Sequence, residues 1–392
     1  MSPIRSRLAL VVLVSAACSS RSPSVAPATV PPGDAAAAPP AVSLDRAEAL
    51  GRTLAEHIRT CAVADIAPLL DLDRMLGKGF EGHDIPAEHR DAFIEGAKSG
   101  AQSTSMLCNP SRLPDRVELL RVRMIDGAAR PLIRSQKGDW LDYLELELGV
   151  SPDGEIRVID VYIHSRGIHV GQLMSQAAIA FMAPGSNEQL AKVLKLQQLI
   201  AARDRESVER LWAALPGQAR APSSTIAVAA LTQAPLEEVR ALVAGFREQV
   251  PDDPSVDLAA LDAFIRYDDV ESVSATIDRI DRRVGGDWWL EMLRAGAYLQ
   301  DPTPERLASA DRSLVAALAR KPGPEDELKL WRSLLGTRLK ARDYDRAVEA
   351  MIALEDRFGY VFDEDKMTVG DWRGFLGTPA HAAWKRRTAA SP

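Results

Sequence analysis

Between Asp253 and Gly286 the chain writes out one complete helical hairpin, and that unit constrains the rest. Two amphipathic segments meet at the polar turn Tyr267-Asp268-Asp269, and Val270, Val273, Ile277 and Ile280 follow at helical spacing. A short polar turn between two apolar-faced helices makes antiparallel neighbours. Such a pair cannot bury its apolar face alone, so more pairs must cover it. The small or apolar landmark of the second helix recurs at Val208, Val239, Val273, Ala310 and Ala347, at intervals of 31, 34, 37 and 37 residues. Seven residues beyond each landmark stand Leu215, Phe246, Ile280, Ala317 and Leu354. Pro251 and Pro322 close two of the units. The expectation for residues 187–360 is an all-α solenoid of helical hairpins.

The best-formed unit after Asp253–Gly286 carries Trp331, Leu334 and Leu335, then Arg342-Asp343-Tyr344-Asp345-Arg346-Ala347. Its Asp-Tyr-x-x-Ala turn and the period near 34 residues resemble a degenerate tetratricopeptide-repeat array. Most units lack the glycine and tyrosine that family places in its first helix. The resemblance implies stacked hairpins with a concave groove for extended or helical peptides, and no chemistry of their own. Trp288 and Trp289 are adjacent, which sets them against facing one core together. One of the two is a candidate partner-binding anchor; in the alternative, one packs in its hairpin and the other on the neighbouring pair. Residues 361–392 hold Trp372, Phe375, Leu376 and Trp384 without repeat landmarks, and read as a capping tail.

The start of the chain reads as an export signal over residues 1–17. Arg5 and Arg7 precede the apolar run Leu8–Val14, and small residues follow. The run is shorter than the about 20 residues that span a bilayer. Cys18, directly after the small residues, resembles the acylated cysteine of a bacterial lipobox, although Ser15 stands where an aliphatic residue is usual. Plain cleavage of the leader is the alternative. The lipobox reading implies lipid anchoring at Cys18 in the cell envelope, and Ser19 after it favours an outer-membrane lipoprotein facing the periplasm or the cell surface. Residues 18–43 include an aromatic-free Ala/Pro/Ser stretch that cannot bury enough apolar surface to order itself, and read as a tether. Loss of Arg5 and Arg7 with the leader moves the net charge from −7 to −9, which argues against nucleic acid as a partner. Cys61 and Cys108 remain, either as a disulfide or as two buried thiols.

Residues 44–183 read as an α+β domain, with helices packed on an antiparallel curved sheet. Helices are expected at 44–59, 64–75 and from Pro86 to about 99, followed by strands around Leu120–Met124, Leu132–Ser135, Tyr143–Leu148 and Ile156–His164. Asp126-Gly127 and Pro152-Asp153-Gly154 supply hairpin turns. This order resembles the nuclear-transport-factor-like roll, a superfamily holding both enzymes and inert binding modules. Asp160, Tyr162 and His164 share one strand face, and with Asp142 they form the candidate pocket. A polar ligand site or a hydrolytic site there is the alternative to a scaffold. No metal-binding, nucleotide-binding or nucleophile motif stands in the sequence. The expectation is therefore a non-enzymatic, cofactor-free, envelope-anchored protein that binds other envelope proteins through its helical repeats.

Overall fold

The structure is a computed structural model that describes residues 42–81, 85–101, 107–108, 113–138, 140–182, 186–217 and 220–390. The export signal, Cys18 and the tether up to residue 41 lie outside the described residues. An antiparallel five-stranded sheet stands between an N-terminal set of helices and a helical C-terminal region. The chain divides into two compact units, one ending at Ala263 and one starting at Phe264. Among the described residues no helix is long and apolar enough to cross a membrane.

The first unit opens with α1 (Leu44–Thr60), started by the Ser43 side chain, which accepts from the Arg46 N–H. The face it buries carries Ala47, Gly51, Leu54 and Ile58, while Leu44 stays half exposed. The single helix expected over 64–75 is broken in two. Pro68 turns α2 (Val63–Ile66) into a 3-10 turn at Ala67–Leu69. Asp71 then restarts the chain as α3 (Leu72–Phe80) by accepting from the Arg74 N–H. After α4 (Ala87–Ala101) come β1 (Arg116–Ile125), β2 (Ala128–Lys137), β3 (Trp140–Val150), β4 (Ile156–Ile163), the short β5 (Ile168–His169) and α5 (Val170–Met182). The strands pair in chain order as an antiparallel meander. Helices α1, α3 and α5 lie against it. Helices α3 and α5 approach so closely that a Cβ on Gly79 or Gly171 would overlap the other helix's backbone.

Two register shifts decide which side chains face which way. Leu119 pairs with Ile133 but Arg121 with Leu132, so Leu120 is an extra residue in β1. Glu147 pairs with Asp160 but Leu148 with Val158, so Ile159 is an extra residue in β4. Val117, Ile133, Leu144, Leu146, Val158, Val161 and Ile163 thereby meet Leu54, Ile58, Met75, Leu76 and Met174 in one apolar core. A disulfide joins Cys61, the left-handed C-cap of α1, to Cys108, which packs against this core.

Beyond residue 185 the chain alternates α6 (Ser186–Ala201), α7 (Arg205–Ala213), α8 (Pro222–Leu231), α9 (Leu236–Gln249), α10 (Pro254–Arg266), α11 (Val270–Val284), α12 (Trp288–Leu299), α13 (Pro304–Ala319), α14 (Pro324–Lys340) and α15 (Tyr344–Phe358). The landmarks Val208, Val239, Val273, Ala310 and Ala347 fall on α7, α9, α11, α13 and α15, and all five are buried. Three inter-helix turns share one geometry. Arg203, Asp268 and Arg342 take positive φ of 57, 52 and 57°. In each case the next residue is an aspartate whose N–H returns to the carbonyl five residues back, at 3.0, 3.0 and 2.9 Å. Those aspartates, Asp204, Asp269 and Asp343, then cap the following helix by accepting from Ser207, Ser272 and Arg346 N–H groups. One short dipeptide thus both ends one helix and starts the next.

In the second unit, Trp288, Ala310, Leu314, Ala317, Leu330 and Leu334 form one cluster. A second cluster joins Leu335, Ala347, Met351 and Leu354 to Met367, Phe375, Ala380 and Trp384 of the tail, which ends in α16 (Pro379–Ala390). Charged pairs tie neighbouring elements. Arg320 of α13 grips the Asp281 carboxylate of α11 with two nitrogens at 2.6 and 2.8 Å, and Arg338 of α14 donates to Asp311 of α13 at 2.7 Å.

Two stability predictions follow from these constraints. Replacing Cys61 and Cys108 together by serine opens a loop of 47 residues, and loop-closure entropy sets the expected loss at about 4 kcal/mol in denaturant melts. Asp343→Ala removes a helix cap and is expected to cost about 1 kcal/mol in the same measurement, with Asp343→Asn restoring most of it.

Candidate functional site

The bulge at Ile159 sends Asp160, Tyr162 and His164 to the sheet face opposite the apolar core. Asp142 points the other way, on the face it shares with Leu144 and Ile163. The four residues expected in one pocket are therefore split between two places, and Asp142 leaves that group. Its alternation with Leu144 and Leu146 already implied as much.

On the polar face, β2 and β3 present Arg130, Arg134, Tyr143, Glu145 and Glu147, and β1 presents Glu118 and Arg123. Tyr143 and Arg134 are fully buried, and Glu145, Asp160 and His164 are buried. The charges are paired. Glu145 binds Arg123 and stands 3.3 Å from Arg130 Nη1, which lies equally close to Glu147. Lys78 reaches Glu147 at 2.5 Å, and Arg134 reaches Glu118 at 2.5 Å. Burial pushes the Glu145 carboxyl up, but the facing His164 imidazole and the Arg123 guanidinium outweigh it and hold the group at about 2. His164 Nε2 stands 3.9 Å from Glu145, beyond hydrogen-bonding distance. Asp160 accepts from the Val161 and Gly171 N–H groups and lies 3.3 Å from His169 Nδ1. Tyr162 packs between the two histidines, with ring centroids at 5.3 and 4.9 Å. An Asp–His pair can orient a general base, yet no serine, threonine or cysteine is hydrogen-bonded to either histidine among the described residues. The face carries a network of paired charges that spans β1, β2 and β3 and reaches Lys78 of α3.

Asp142 sits in different surroundings. Its Oδ1 accepts from the Tyr143 and Ser165 N–H groups at 2.8 Å, and its Oδ2 accepts from Ser165 Oγ at 2.5 Å. Burial pushes its pKa up, against the opposing pull of these donors. Beside it is a cavity of about 120 Å³ that Leu144, Ile163, Leu173 and Met174 line together with Ser135 and Arg166. Burial draws Arg166 down to about 10, against the charge of Asp142, so it remains a cation at neutral pH. Arg166 lies in the Ser165-Arg166-Gly167 turn, which reads in sequence as an ordinary solvent-facing loop; no motif marks it.

The two candidate anchor tryptophans enter one core after all. Trp288 is buried and Trp289 half buried, their rings meet edge to face at 5.4 Å, and both pack in the cluster around Leu314 and Leu330. Among the described residues no group of three or more His, Cys, Asp or Glu side chains is placed to hold a metal ion. No protein-family model, curated protein or solved structure matches the chain.

The two buried carboxylates should titrate stability in opposite senses. Glu145, with its depressed pKa, contributes stability that is complete above its ordinary 4.5 and lost as pH falls toward 2. Asp142, with its raised pKa, contributes most below its ordinary 3.8 and progressively less as pH rises through the folded value. Glu145→Gln is therefore expected to cost about 3 kcal/mol near neutral pH and to flatten the acid limb of the stability curve. Asp142→Asn is expected to be neutral or stabilising near neutral pH. Urea melts of both variants across pH check the two signs.

Proposed function

We propose that this chain is an exported, membrane-anchored binding protein of the bacterial envelope, whose helical hairpins form a tetratricopeptide-like solenoid that holds a partner protein. The observation that carries this reading is the repeated unit itself. Five landmarks at intervals of 31 to 37 residues all fall on second helices and are all buried, and three of the turns are built on the same positive-φ residue and capping aspartate. A chain that repeats its packing positions while varying its outer ones is suited to presenting a surface. The disulfide supports export, because such bonds persist in oxidising compartments. Cys18 is the proposed acylation site, and residues 18–43 the tether. The sheet with α1, α3 and α5 is proposed as a roll of the nuclear-transport-factor-like kind, serving as the tethered base. With Trp288 and Trp289 packed inward, the proposed contact surface shifts to exposed polar positions of first helices, such as Lys329 and Arg332 on α14.

Photo-crosslinking in intact cells tests the reading without cutting the chain. A photoreactive residue at Lys329 or Arg332 is expected to give discrete adducts with an envelope protein. The same residue at Met124, exposed on β1, is expected to give none. Adducts from Met124 alone, or from none of the three positions, would contradict it.

A further inference from the structure

The cavity beside Asp142 has the make-up of a binding site. Its walls are apolar, from Leu144 and Ile163 of the sheet and Leu173 and Met174 of α5. Trp140, which also lines it, is half exposed, so the cavity borders solvent there. Two charged groups reach it, and their hydrogen-bonding states differ. Asp142 accepts three hydrogen bonds, from the Tyr143 N–H and from both Ser165 donors. Arg166 Nη1 is buried and has no hydrogen-bond partner, and the Asp142 carboxylate acts on it through charge alone. A buried guanidinium N–H without an acceptor is costly, and an arginine fork matches a carboxylate in shape and charge. A cavity of about 150 Å³ holds a benzene-sized molecule, so one of about 120 Å³ takes about five non-hydrogen atoms.

We propose that this cavity is a binding site for a short aliphatic monocarboxylate, with the carboxylate on Arg166 and the hydrocarbon tail between the sheet and α5. The Asp142 carboxylate acts on Arg166 through its charge but accepts its hydrogen bonds from Ser165 and the Tyr143 N–H, which leaves Arg166 Nη1 open to a ligand. The apolar walls select an anion with a short hydrocarbon tail over a bare inorganic ion, which would leave Leu173 and Met174 facing water. The site is independent of the hairpin surface, and would give the tethered half of the chain a ligand of its own.

The test uses the intact, disulfide-bonded chain with propanoate, butanoate and pentanoate as probes, and pentan-1-ol and pentylamine as neutral and cationic comparators. Calorimetric titration is expected to show saturable binding of at least one carboxylate and none of pentylamine. Arg166→Gln is expected to weaken carboxylate binding at least tenfold, the worth of a charge-assisted hydrogen bond, while changing pentan-1-ol binding less than twofold. Leu173→Trp fills the cavity and is expected to abolish binding of both. Nuclear Overhauser contacts from the probe's terminal methyl to Leu173 and Met174 in the unaltered chain locate the site even if a variant does not fold. Absence of binding across the series, equal binding of pentylamine, or an affinity unchanged by Arg166→Gln would overturn the proposal. So would water alone in the cavity, seen as probe contacts elsewhere.

Discussion

The bond between Cys61 and Cys108 is the constraint on which much of the first unit depends. It fastens the left-handed end of α1 to the segment that leads into the sheet. Leu107, next to Cys108, lines the Arg166 cavity and packs on the apolar core. One covalent link therefore fixes a helix end, a core edge and a cavity wall together. Such bonds are rare where thiols are kept reduced, so the pair also bears on the proposal of export. The fold's geometry and the proposal of export rest on the same pair of sulfurs.

The sheet shows how little rearrangement separates a core from a charge network. Two extra residues, Leu120 and Ile159, rotate the following side chains to the other face. Without the shift at Ile159, Asp160 would share the core face with Val158 and Val161 would leave it. With it, Asp160 reaches His169 and the Gly171 N–H, and so helps set the start of α5. The charges opposite the core are buried but matched, which is the condition under which buried charge is tolerated. On the other side, Arg166 has no hydrogen-bonded acceptor at its buried Nη1.

Much of the architecture could be read from the residues. Alternation gave the strands around Leu132, Leu144 and Ile159, and spacing gave the second-helix landmarks, because both periods follow from backbone geometry alone. What escaped was local or non-periodic. Pro68 was compatible with a helix start, but the chain used it to stop, and Asp71 made the restart. The split of Asp142 from Asp160 was half legible: alternation set Asp142 with Leu144 and Leu146, but the extra residue Ile159, which turns Asp160 to the other face, shows only in the strand pairing. Trp288 and Trp289 looked incompatible with one core, yet rings as large as indoles reach a common cluster from neighbouring positions. Arg166 gave no signal because its turn has the composition of any loop.

The hairpin turns carry the other half of the account. A residue with positive φ followed by a capping aspartate recurs at Arg203-Asp204, Asp268-Asp269 and Arg342-Asp343, and in those three turns satisfies backbone groups at the end of one helix and the start of the next. That leaves the outer faces of the pairs at liberty to vary, which is what partner binding requires. The central claim is that this chain works outside the cytoplasm, anchored and oxidised. Its most direct test is the intact mass of the mature chain taken from native membranes, alkylated without reduction. The account predicts a chain beginning at Cys18, heavier by its acyl groups, with no alkyl label on Cys61 or Cys108. A chain retaining residues 1–17, or one labelled at both cysteines, would contradict it.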